Sequence, residues 1–456
     1  MIIIKTNIKN IFFSLLFCFL MILCVACSAN RDYGTEYHFE TDCQYSYHDA
    51  SYDIAKSVQS DGEGQYLFYN GYIYYHNAKT DTTIPLCNKP NCLHDHESDK
   101  NRQSECNAYV PSALPAYIQY YDGYVYYVYS NSDSEGESSY LIRVKQDGSK
   151  KDCVLTTQKT KSVIQHWLIH RGYFYYEIDT YFYGKDTSTQ IYHSCELRSL
   201  PISSHMNEKN SNLIYKSDQE YSALGLGQLQ AYKNCIYYQV IANKKDYEFT
   251  DHDSWVNQLF NEYYQYNTES GKNSRIPIPE GHSDTTRINA IVFLKDKMIM
   301  SLYDELMDKN DKLPIYSMNY DFTDKKIWLE NVEQGKWVQS YDDFVILSDG
   351  ALHYTTVTTE EGTLQDICND KIPHMNVEIY SSDAKPLSNF VYPINQNEGN
   401  FSGFGPDGVN VEFQDNDDGT WSVYELNLND VLNCSGEEVK LNCVGTRKYG
   451  VLYNED

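Results

Sequence analysis

"YLFYNGYIYY", residues 66–75, sets two aromatic runs on either side of Asn70-Gly71. Asn-Gly takes positive φ at low cost, which a tight two-residue hairpin requires, and aromatic residues suit a pleated, half-buried surface. The unit therefore reads as strand, turn, strand. It recurs as "YIQYYDGYVYY" at 117–127, "HWLIHRGYFYY" at 166–176, "LQAYKNCIYY" at 229–238, "IVFLKDKMIM" at 291–300, "FVILSDGALHY" at 344–354 and "FSGFGPDGVNVEF" at 401–413. Aligned on Gly71, Gly123, Gly172, Asn234, Asp296, Gly350 and Gly408, the units are 52, 49, 62, 62, 54 and 58 residues apart. Asn and Asp replace Gly at two of the turns, as the left-handed region allows.

Most units add a second hairpin with a polar tip: "YLIRVKQDGSKKDCVL" at 140–155, "YYQYNTESGKNSRIPI" at 263–278 and "IYSMNYDFTDKKIWL" at 315–329. Two hairpins make four strands. Four strands repeated at this interval predict an all-β β-propeller of about seven four-stranded blades, with six or eight as the neighbouring solutions. A two-sheet sandwich fits so regular a repeat poorly. The propeller is expected over 59–456, with blade 1 borrowing its fourth strand from 44–58 or 446–453 to close the ring.

The N-terminus reads as targeting sequence. Lys5 and Lys9 precede an uncharged apolar run at 11–26, and "LCVAC" ends on Cys27. Residues 1–26 are thus expected to be a lipoprotein signal peptide, with Cys27 lipidated and 27–58 a tether. Cys24 stands where such a motif usually has Leu. The expected location is the extracytoplasmic face of the cell membrane, held by the lipid anchor. A formal charge of -27 argues against nucleic acid and suits a soluble monomer.

One insertion breaks the repeat. "PLCNKPNCLHDHESDKNRQSECNAY" at 85–109 follows the first hairpin and spaces Cys87, Cys92, His94 and Cys106 as C-x4-C-x-H-x11-C. Three thiolates and an imidazole make a tetrahedral zinc set, with Asp95 and His96 as alternative ligands or supports. Outside the cell, cysteines also pair, so a disulfide among Cys87, Cys92 and Cys106 is the competing reading. The sequence leaves zinc and disulfide both open. In either case the insertion (85–110) reads as a fastener and not as a reaction centre.

With "NGYIYY", "DGYVYY" and "PLCNKPNCLHD…CNAY" together, the chain resembles uncharacterised surface lipoproteins of Gram-positive anaerobes with TolB-like or quinoprotein-like propellers. The resemblance implies a fold and a location, but no substrate and no catalytic residue.

Other positions carry narrower expectations. Cys434 and Cys443 flank "SGEEVKLN" and are expected to face each other as a disulfide across a last hairpin. Cys43 is expected to pin the N-terminal segment to the ring, and Cys235 to be a buried free thiol. His166 and His170 lie four apart on one strand and so share a face. Tyr181, Phe182, Tyr183, Trp255 and Phe260 fall in the insertions that lengthen units 3 and 4, and read as loop aromatics for a ligand. Residues 251–262 read as a short helix. "DNDDGTW" at 415–421 reads as a solvated turn. No nucleophile elbow, H-E-x-x-H or phosphate loop occurs. The expected role is a non-catalytic binding or protein-interaction module, for a glycan or a surface protein. A glycan-active hydrolase or lyase and an envelope assembly scaffold are the alternatives.

Overall fold

The tight turns form where the repeat places them. Asp122-Gly123 and Arg171-Gly172 carry positive φ at both positions (47° and 78°, 47° and 82°), and Gly71 has φ 78°. At Lys233-Asn234, without glycine, only Lys233 is left-handed, at 53°. The sixth unit corrects the expected frame: its turn is Asp342-Asp343, joining Tyr341 to Phe344, with Asp342 at φ 48°. An Asp tolerates that region, so the turn forms seven residues before the expected Asp349-Gly350. Gly350 itself lies outside the described residues.

The structure is a computed structural model that describes residues 33, 36–44 and 59–448, except 70, 78, 81, 112–117, 134–135, 159–161, 184–189, 218–220, 245–258, 309, 350–351, 359–363, 372–373, 394–402, 405–407 and 417–419. Residues 1–38 and 39–456 separate as two units, and the propeller belongs to the second.

Seven antiparallel blades follow in chain order. Blade 1 holds Gln59–Ser60, Gln65–Tyr69, Tyr72–Asn77 and Thr82–Pro85. Blade 2 holds Ile118–Tyr121, Tyr124–Asp133, Gly136–Lys145 and Lys151–Thr156. Blade 3 holds Ser162–His170, Tyr173–Tyr183, Gln190–Pro201 and Asn212–Lys216. Blade 4 holds Tyr221–Tyr232, Cys235–Lys244, Leu259–Asn267 and Asn273–Arg275. Blade 5 holds Thr286–Phe293, Met298–Asp304, Lys312–Met318 and Lys326–Glu333. Blade 6 pairs Trp337–Tyr341, Phe344–Ser348, His374–Ser381 and Pro386–Pro393, then adds Ser435–Glu438 in parallel. A two-stranded hairpin, Leu352–Thr358 with Leu364–Lys371, is inserted between the second and third of these. Blade 7 has three strands among the described residues: Val409–Asp415, Thr420–Asn427 and Asn442–Lys448.

The alternation of the aromatic strands explains the packing. Successive side chains point to opposite faces, so each blade presents Tyr, Phe and Ile to both neighbours. Tyr66, Tyr74, Tyr126, Tyr127, Tyr176, Tyr238 and Tyr392 are fully buried. One apolar cluster lies between each pair from blades 2–3 to 6–7, and another joins blade 7, blade 1 and blade 2. Trp421 of blade 7 sits 5.0 Å from the Tyr69 ring and 5.2 Å from Tyr74. The buried pair His76 Nε2–Glu425 Oε1, at 2.6 Å, crosses the same seam. The ring is thus closed by packing. Residues 446–448 pair inside blade 7 with Thr420–Ser422 and do not complete blade 1, whose fourth strand is Gln59–Ser60.

Other expectations change. Leu259 and Phe260 begin a strand opposite Asn243 and Ala242, so the helix expected over 251–262 does not extend through them; a long β ladder overrides the local helical pattern. Trp255 lies outside the described residues. Tyr181, Phe182 and Tyr183 are not loop residues: they continue a strand opposite His193, Tyr192 and Gln190. Cys434 and Cys443 do not face each other across a hairpin. The chain leaves Cys434 along the edge of blade 6, while Cys443 lies in blade 7, and both thiols are free. Cys235 is free and buried. Among the described residues, no helix is long and apolar enough to cross a membrane; Cys27 and the run at 11–26 lie outside them.

Candidate metal centre

The insertion interrupts one strand of blade 1 and returns to it. Ile73 accepts a hydrogen bond from Leu86 N (2.8 Å) and donates to Ala108 O (2.9 Å), so the chain leaves and re-enters opposite the same residue. Between them, Asn91 (φ 62°) and His94 (φ 52°) adopt left-handed backbone, which winds the chain tightly around one point. A short 3-10 turn, His94–His96, and a helix, Lys100–Glu105, follow; Asp99 caps the helix by accepting from Asn101 N at 2.9 Å. The helix returns Cys106 to the start of the excursion.

These turns bring Sγ of Cys87, Cys92 and Cys106 and a ring nitrogen of His94 within 4.8 Å of one another. The Cys106 Sγ–His94 Nδ1 distance is 3.8 Å. All three thiols are free, and the four side chains expected from the spacing gather at one point, where they could hold a metal ion. Asp95 and His96 stand apart from the set. Asp95 is buried and accepts from Tyr74 OH at 3.2 Å, fastening the loop to blade 1, while the His96 side chain is exposed.

Electrostatics matches the geometry. Burial, then the neighbouring Cys87 thiol, pushes Cys106 well above the ordinary thiol value. Cys87 is held below it: burial acts upward, but backbone N–H groups at 89 and 107 and the other two thiols outweigh it. A bound cation would remove the remaining thiol protons outright. Lys151 is brought down to about 8 by burial, against the pull of Cys106. Its ammonium donates to Tyr109 O (2.6 Å) and Cys106 O (3.3 Å), placing a positive charge beside the thiol cluster.

Two supports, Lys151 and Gly148, were not apparent from sequence. Gly148, at the tip of a blade 2 hairpin, accepts from Asn88 N (3.2 Å) and Asn107 Nδ2 (2.8 Å). A Cβ there would lie 2.8 Å from Cys87 N, so only glycine lets the loop seat on blade 2. "QDGSKK" announces a turn, but nothing in it announces a docking surface. The excursion therefore ties blade 1 to blade 2.

The histidine pair is not one site. His170 is buried, with Nδ1 accepting from Cys43 N (3.1 Å) and Nε2 donating to Lys233 O (2.6 Å). His166 instead meets Glu177 at 2.5 Å. Cys43 does help to hold the N-terminal segment, through its backbone and not its thiol. Arg171 N donates to Thr41 O (2.7 Å), Arg171 grips Asp42 in a buried fork (2.7 and 3.0 Å), and Gln44 exchanges two hydrogen bonds with Ser60 (2.8 and 3.0 Å).

No protein-family model and no curated protein matches the chain. Solved structures do match along most of its length. Oligogalacturonate lyase from Vibrio parahaemolyticus is 11% identical, with a TM-score of 0.47, over 86% of this chain and 92% of the lyase. The β-propeller domain of the Trilobed protease from Pyrococcus furiosus is 10% identical (TM-score 0.38), over 89% and 99%. TolB from Acinetobacter baumannii is 10% identical (TM-score 0.33), over 82% and 77%. At these identities the likeness concerns the fold alone.

Proposed function

We propose that this propeller is a lipid-anchored, extracytoplasmic, non-catalytic binding or protein-interaction module at the cell surface, and that zinc holds its 87–107 excursion. The observation that supports this reading is the closed donor set. Three thiolates and one imidazole supply four protein ligands to a tetrahedral ion and leave no position for substrate, as in structural zinc sites. The buried histidines agree: both ring nitrogens of His76 and of His170 are committed to holding the fold together. The apolar run at 11–26 and "LCVAC" support the anchor.

The test has two arms. Radiolabelled palmitate should enter the wild type and not Cys27→Ala, which should leave the cell surface. The purified protein should capture a glycan or a surface protein, on arrays or by crosslinking in intact cells, without turning over a polysaccharide panel. Turnover would replace the binding reading with the enzymatic one. Zinc content unchanged in Cys106→Ser would remove zinc from the excursion.

A further inference from the structure

We infer that the interface of blades 3 and 4 carries a second metal site, for a divalent transition-metal ion, built from Glu177, Asp179 and Cys195. Glu177 and Asp179 are two apart on Tyr173–Tyr183 and so share a face. Asp179 stands directly opposite Cys195 on the neighbouring strand. One donor atom from each lies within 4.8 Å of the others, and the residues are only 0%, 4% and 0% exposed.

The hydrogen bonding at the cluster leaves one carboxylate oxygen available to a cation. Glu177 Oε1 accepts from Leu226 N at 2.6 Å, and Oε2 meets His166 Nδ1 at 2.5 Å. Asp179 Oδ1 is buried with no hydrogen-bond partner. Burying two carboxyl groups together is costly unless something positive or protonated joins them.

The backbone is adapted to this point from two sides. Strand Ser162–His170 has a bulge opposite Glu177, which offers His166 to its carboxylate. Strand Tyr221–Tyr232 has another between Ala223 and Gly225. Gly225 has φ +117°, and a Cβ on it would sit 3.2 Å from Glu177 Oε1 and 3.6 Å from Asp179 Oδ2. Glycine thus lets blade 4 close over the acids. Bulges of this kind re-aim side chains near functional sites.

Donor chemistry narrows the ion. Calcium and magnesium take oxygen ligands, whereas a thiolate beside two carboxylates suits a borderline ion such as zinc. Three protein donors leave one position open, unlike the four-donor set in blade 1. His166, bonded to Glu177, orients that ligand.

The experiment uses the full chain in detergent, loaded with zinc or cobalt(II) and freed of excess metal. Wild type should retain about two equivalents, and Cys106→Ser and Asp179→Asn about one each. In the cobalt form, Cys195→Ser should remove the sulfur-to-metal absorption of the second equivalent and keep that of the three-thiolate set. The retained absorption also reports that the variant is folded. If the blade 1 reading fails and this one holds, wild type keeps one equivalent, lost in Asp179→Asn and kept in Cys106→Ser. A single equivalent lost only in Cys106→Ser overturns the inference, as does a second equivalent that survives both Asp179→Asn and Glu177→Gln.

Discussion

Removing the Asp42 carboxylate should loosen the N-terminal segment and destabilise the ring together. Arg171 Nε and Nη2 reach Asp42 Oδ1 and Oδ2 at 2.7 and 3.0 Å, and the two side chains are 7% and 1% exposed. A paired fork of this kind is among the stronger charge-assisted contacts. Asp42→Ala leaves a guanidinium in a dry site without its counter-charge, which costs about 3–5 kcal/mol. The pair as a whole contributes far less, because burying both charges was itself expensive. Asp42→Ala combined with Arg171→Met should therefore recover most of the loss. Urea unfolding of wild type, both single variants and the double variant measures the coupling. Limited proteolysis should show new cleavage near residues 41–44 in Asp42→Ala, reduced in the double variant. An Asp42→Ala loss below about 1 kcal/mol, or a double variant as weak as the sum of the singles, would refute the reasoning.

Further outcomes follow from other contacts. Burial lowers His170 to about 4, against about 6.5 in an unfolded chain, so the neutral ring is favoured in the fold. That stability is fully present above pH 6.5 and is lost as pH falls through 4, by about 3 kcal/mol. Urea midpoints between pH 4 and 7 should show this slope in wild type and a shallower one in His170→Asn. Gly148→Ala places a Cβ against Cys87 N in a left-handed turn. Protease sensitivity within 87–107 should rise while the circular dichroism of the blades persists; unchanged protection would contradict the docking. Chelation should produce the same local opening in wild type, read by thiol labelling of Cys87, Cys92 and Cys106. Trp421→Ala should cost about 3–5 kcal/mol by thermal unfolding, since it opens the seam between blades 7 and 1.

The repeat was legible because its turns obey local rules: a residue pair that accepts positive φ, bracketed by aromatics, needs no tertiary information. The sixth unit misled because "SDG" resembles a better turn than "YDDF", yet the strand pairing of Val338 with Leu347 fixes the turn at Asp342-Asp343. Cys87, Cys92, His94 and Cys106 were legible through residue type and spacing. Gly148 and Lys151 were not, because their role depends on two blades meeting. Nor was Glu177–Asp179–Cys195. "YYEIDTY" and "HSCELRS" are ordinary strand sequences until the ladder sets Asp179 opposite Cys195. Cys434 and Cys443 looked like partners at short separation, but a chain that leaves one sheet edge for the next blade separates them.

In an antiparallel ladder, a residue normally exchanges its N–H and C=O with a single partner. Ile73 divides that exchange between Leu86 and Ala108, 22 positions apart. The excursion is thus spliced into the strand like a cassette, with both cut ends at one rung. Joining 86 to 109 would restore a continuous strand without shifting any register in blade 1, since Tyr109 already stands opposite Tyr72. The same rung would accept a different cassette, so the excursion is exchangeable while the ring that carries it stays the same.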